Sequence, residues 1–150
     1  MKENLYRHLL MMAVLSFVSM YVLMYTMVDA FAHVYSNVNQ FYMAGLMTAP
    51  MVLIELAVMG AMYQNRALNA AIIGLSIAAL AACWMLIRQQ GAVGDRQFLR
   101  SMIPHHSGAI LMCGKAPLRD PEIQRLCKTI IAGQADEIRQ MKDKLAALSQ

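Results

Sequence analysis

Charge is what this chain has least of: Asp, Glu, Lys and Arg make up only 15% of its 150 residues, against 59% hydrophobic ones. That balance excludes an ordinary water-soluble domain. Aromatic residues are also scarce, at 7% with a single Trp, and no basic cluster is interleaved with them. The net charge of +4 therefore does not indicate a nucleic-acid surface, and nucleic acid is not expected as a partner. Three cysteines, none in a CxxC pair, exclude a disulfide framework and a CxxC zinc or redox motif. No phosphate-binding loop, no nucleophile–base–orienter set and no Glu-x-x-His di-iron pattern is present, so an enzyme is not expected.

What the chain does have is long apolar runs. After a polar leader carrying Lys2 and Arg7, Leu9 to Val28 contains no charge and is long enough to cross a bilayer. Ala30-Phe31-Ala32 resembles a signal-peptide cleavage site, but the apolar run is longer than a signal core, and a retained helix is expected. Further spans are expected at 41–63 and 67–87. The short link between them, Gln64-Asn65-Arg66, makes those two an antiparallel hairpin.

Basic residues tie between the two orientations, with Lys2, Arg7 and Arg66 on one side and Arg88, Arg96 and Arg100 on the other. The first helix, whose outer loop lacks Lys and Arg, breaks the tie towards a cytoplasmic N-terminus. The C-terminal domain is then expected in the periplasm, on the outer side of a bacterial inner membrane.

Three polar residues in or near the spans are candidates for a role in moving an ion: Glu55, expected near mid-span opposite serine hydroxyls, and Asp29 and His33 in the outer loop. Two methionine triplets, Met20, Met24 and Met27 and then Met43, Met47 and Met51, have helical spacing at one expected depth. They fit a soft-metal path or simple apolar packing.

Residues 89–94 read as a linker, and the polar remainder, 95–150, as a helical hairpin. Asp95 is expected to cap its first helix, and Pro104 to kink or restart it, placing His105 and His106 in the first turn of the continuation. Asp120-Pro121-Glu122 is a strong helix start, with an Asp cap, Pro at N1 and an acid in the first turn. Folding back about the turn at 115–119 sets Ile131 and Gln134 level with the histidines, and Glu137 level with the start of the first helix. So short a hairpin buries little surface alone, which points to pairing with a second copy into a four-helix bundle.

Within this tail, Met102, His106 and Cys113 share one helical face, with His105 and Met112 along its edge. Thioether, thiolate and imidazole together favour copper, Cu(I) above all, with zinc as an alternative. Gln134 or Glu137 is expected to hold the second nitrogen of a histidine. The competing account is that these side chains merely pack and that the tail is a structural or interaction module that oligomerises; Cys113 and Cys127 lie near the turn end of the hairpin, where a disulfide between them is open.

Phe98-Leu99-Arg100-Ser101-Met102-Ile103-Pro104-His105-His106-Ser107-Gly108-Ala109-Ile110 and the later Gln134-Ala135-Asp136-Glu137-Ile138-Arg139-Gln140-Met141 closely resemble the domain-of-unknown-function 305 family, over residues 95–145. The resemblance implies a ferritin-like four-helical fold outside the cytoplasm and a link to copper or silver tolerance. It also implies that Met102, His105, His106, Met112 and Met141 occupy the positions from which metal ligands are drawn. Longer members carry two helical pairs where this chain has one, so a second subunit would supply the other half. The sequence as a whole is read as an all-α, membrane-anchored, copper-binding protein for metal buffering or tolerance.

Overall fold

The computed structural model describes residues 2–148, with side chains from residue 5. Its α-helices are α1 (Lys2–Leu23), α2 (Val38–Val58), α3 (Arg66–Gln89), α4 (Asp95–Lys115) and α5 (Pro121–Ala147). Two short 3-10 turns, Met24–Met27 and Phe31–His33, lie between α1 and α2, and no strand occurs among the described residues. Three stretches, Leu5–Met27, Val38–Val58 and Arg66–Gln89, are long and apolar enough to cross a membrane. The chain divides into two compact units, one of residues 1–24 and 39–91 and the other of residues 25–38 and 92–150.

In the first unit, Leu9, Val52, Leu56 and Tyr63 form the buried centre, with Leu5, Tyr6, Met12, Ala13 and Ile72 packed on it. Gly45 lets α2 pass close to both neighbours, because a Cβ there would stand 2.9 Å from Cys83 Sγ and 3.8 Å from the Phe17 ring. Most other apolar side chains of α1 and α3 face outwards; Leu75 is 72% exposed. That is the pattern of helices solvated by lipid, where apolar surface carries no penalty.

α2 stops at Val58, earlier than the apolar run suggests, and residues 59–65 form the link to α3. Asn65 caps α3 by accepting from the Leu68 amide at 3.0 Å. The Tyr6 hydroxyl reinforces this end, donating to Asn69 Oδ1 at 2.8 Å and accepting from the Asn65 amide. Glu55 therefore lies in the last turn of its span rather than at mid-depth. Its partner is the Tyr63 hydroxyl, which donates to Oε1 at 3.2 Å, instead of a serine. A carboxyl at the polar end of a span needs no ion-carrying role to be tolerated.

The second unit is centred on Ile103, Ile138 and Leu145, with Tyr35, Leu99, Ile110 and Met141 around them. Complete burial of Ile103 stabilises the unit by roughly 1.5–3 kcal/mol. α4 is continuous through Pro104, so the expected restart does not occur. The missing proline amide loses one backbone bond, while Ile103 and Ser107 on either side are both fully buried and hold the helix together. Gly94, not Asp95, is the N-cap residue, and Asp95 sits inside the first turn, where its charge suits the helix dipole. α5 starts as its residues dictate: Asp120 Oδ1 accepts from the amides of Glu122 and Ile123, at 2.8 and 3.1 Å.

Candidate metal centre

The turn of α4 holding His105 and His106 is positioned from two sides. From α5, Glu137 Oε2 comes within 3.0 Å of His106 Nδ1, which places it one helical turn further back along the hairpin than level pairing predicts. The approach is off the line of a hydrogen bond, so Nδ1 is buried beside a carboxylate without a bonded partner. His105 is exposed, its ring centroid 6.0 Å from that of His106.

From the other side comes the segment between α1 and α2, a connection that the residue pattern does not announce. Tyr25 closes this segment on itself by donating to the Tyr35 carbonyl at 2.7 Å, and Asn37 Nδ2 donates to the same oxygen at 3.0 Å. Gln97 of α4 accepts from the Val38 amide at 3.2 Å, and the segment's Tyr35 packs on the Ile103 cluster. Its tightest hold is on Ser107. The Ser107 hydroxyl donates to Asp29 Oδ1 and accepts from the Asp29 amide at 2.8 Å. His33 Nδ1 lies 2.6 Å from the same carboxylate oxygen and 3.3 Å from Ser107 Oγ. Gly108 permits the approach, since a Cβ there would stand 3.3 Å from the Met27 carbonyl oxygen.

Burial would push the Asp29 carboxyl up. The Ser107 and His33 hydrogen bonds, the His33 charge and the Ala30 amide outweigh it and hold the group below its ordinary 3.8. Ser, His and Asp are thus together, but not as a hydrolytic triad. Ser107 is wholly buried, and its hydroxyl is committed to the carboxylate rather than presented to a substrate.

Asp29 and His33 accordingly belong with the tail and not with a path through the spans. The signal that could have found them is Ser107-Gly108: two small residues directly after the histidines leave room for another backbone. The first methionine triplet does not stay intact, because Met24 and Met27 leave α1 for a 3-10 turn, whereas Met43, Met47 and Met51 all lie in α2. Met20 and Met51 do share a shallow groove of about 510 Å³ with Met11, Met12 and His8, and Met20 Sδ accepts from the Thr48 hydroxyl at 3.8 Å.

The other proposed ligands are dispersed. Met102 is half-buried, one turn before His106 on the same face. Met141 packs into the Ile103 cluster, and Met112 is 55% exposed. Met112 follows His105 by two turns, roughly 10 Å along the axis. Cys113 is bonded to Cys127, with Cα atoms 5.1 Å apart, so its sulfur is not a thiolate ligand here; the hairpin fold brings the two together at its turn end. Gln134 is half-buried beside this face.

Among the described residues no three His, Cys, Asp or Glu side chains converge closely enough to hold an ion. Structural zinc sites take four donors of those kinds. Imidazole and thioether are donors that a soft monovalent ion takes, and Met102 and His106 lie one turn apart on α4.

The comparisons agree with the tail motifs. A protein of Acanthamoeba polyphaga mimivirus described as "Uncharacterized protein L153" is 31% identical over 140 residues, covering 91% of this chain and 90% of that protein. No solved structure matches. The family described as "Domain of unknown function (DUF305)" matches residues 57–145, taking in α3 as well as the tail. On both the motif order and the extent of that match, the chain belongs to the domain-of-unknown-function 305 family.

Proposed function

We propose that the protein is a membrane-anchored binder of a soft monovalent metal, Cu(I) first and Ag(I) second, which buffers the ion outside the cytoplasm and is not an enzyme. The observation that carries this is Glu137 at 3.0 Å from His106 Nδ1, beside a second histidine and one turn after Met102. A carboxylate this close to the ring supplies negative charge that favours a cation at the neighbouring imidazoles. The thioethers of Met102 and Met141 are the candidates to complete the set, and Met112 stands further off.

The outward orientation draws support from the Cys113–Cys127 disulfide, which suits an oxidising compartment.

Pairing of the tail with a second copy is part of this proposal. Phe98, Ile123 and Leu126 are 50%, 47% and 58% exposed in a domain otherwise rich in charge, and a two-fold bundle would cover them. The detergent-solubilised chain is then expected at twice its monomer mass; a monomer with folded tail would remove the pairing. The reading from another class, a structural module without metal, rests on the same exposed positions.

Metal analysis separates the two readings. The full chain purified with its disulfide intact and loaded with Cu(I) is expected to retain stoichiometric copper, and the His105→Ala/His106→Ala pair to lose it. Absence of copper from both, with an unchanged oligomer, would leave only the structural module.

A further inference from the structure

We propose that His33, in the segment between α1 and α2, is a further imidazole ligand of the metal centre, with Asp29 as the residue that orients it. This rests on the metal-binding reading above and extends it beyond the stretch that matches the family, since His33 precedes residue 57.

The argument is one of tautomer and place. A carboxylate oxygen accepts, so the His33 nitrogen 2.6 Å from Asp29 Oδ1 is the donor. In the neutral ring the proton is then on Nδ1, and the Nε2 lone pair is left for a ligand. Among the described residues Nε2 has no hydrogen-bond partner. A carboxylate fixing one nitrogen while the other stays open is the arrangement that metal-bound histidines require. Glu137 lies 3.0 Å from His106 Nδ1 but without the hydrogen bond that Asp29 makes to His33.

Place follows from Ser107, the residue after His106. His33 Nδ1 is 3.3 Å from its hydroxyl, so the ring lies against the α4 turn that carries the paired histidines. The ring is mostly buried, with 16% of its side chain exposed, and the Asp29 carboxylate adds a fixed negative charge that favours a cation. Met27, whose carbonyl packs on Gly108, brings a fourth thioether into the unit beside Met102, Met112 and Met141. Two imidazoles with thioethers make a set that Cu(I) or Ag(I) accepts without a third imidazole, thiolate or carboxylate.

The test uses the full chain in detergent micelles, with 15N-labelled histidine and Ag(I) as a diamagnetic probe. Nε2 of His33 is expected to shift on titration and to saturate at the same equivalence as the His106 signal. Asp29→Asn is expected to weaken Ag(I) by about 10–100-fold, as removal of a ligand's carboxylate partner does. Ser107→Ala, which loosens the segment but leaves Asp29 on His33, is expected to weaken it less. Shifts of His105 and His106 with His33 silent would overturn this inference and leave the metal reading standing. No shift at any of the three would overturn both.

Discussion

Asp29 shows how much one side chain does here. Its carboxylate holds the His33 ring and the Ser107 hydroxyl together, and its own amide returns a bond to that hydroxyl. With the folded carboxyl held below 3.8, the unfolded chain takes up this proton first as pH falls. The contribution of Asp29 to tail stability is therefore complete above the ordinary aspartate value and is lost as pH drops through the lower, folded one. Asp29→Asn is expected to be less stable than the parent at neutral pH, with the gap closing as pH falls through 3.8 and below. Amide hydrogen exchange at 107–110 reads this against the background of the other carboxylates, which both proteins share. A gap that stays constant with pH would show that Asp29 is not the titrating group.

Among the elements, α5 is the most legible. Asp120, Pro121 and Glu122 announce its start, and the apolar series through Ile138 and Leu145 gives its buried face. α4 was less so, because proline is a local rule and burial of Ile103 and Ser107 overrides it. α2 misleads for a different reason. Apolar composition continues past Val58, but the backbone turns at 59–62, and composition cannot see a turn built around Gly60.

Of Gln134 and Glu137, it is Glu137 that lies beside His106 Nδ1, at 3.0 Å. The disulfide ties the two helices at the turn end of the hairpin. Joining residues 14 apart, it should contribute about 3 kcal/mol through the restricted unfolded chain. Cys113→Ser/Cys127→Ser is expected to lower tail stability by about 2–4 kcal/mol in denaturant unfolding. Alkylation without reduction should label Cys83 alone, the free cysteine; labelling of all three would show the bond absent.

At the scale of the whole molecule, the anchor and the helical tail were readable from charge and apolar length, and the candidate histidines from ligand type. The segment 25–38 was not, because it belongs to the tail only through contacts across the sequence, Asp29 to Ser107 and Val38 to Gln97. A span-by-span reading assigns such a segment to the membrane. The tail unit is thus assembled from two separate stretches of chain, 25–38 and 92–150, and its candidate ligands are drawn from both. X-ray absorption at the copper edge of the Cu(I)-loaded, full-length chain tests the central claim most directly. Nitrogen and sulfur scatterers together in the first shell of the parent chain, with bound copper lost from His105→Ala/His106→Ala, are the predicted result. A shell of sulfur alone, or one unchanged by removing the two histidines, would contradict it.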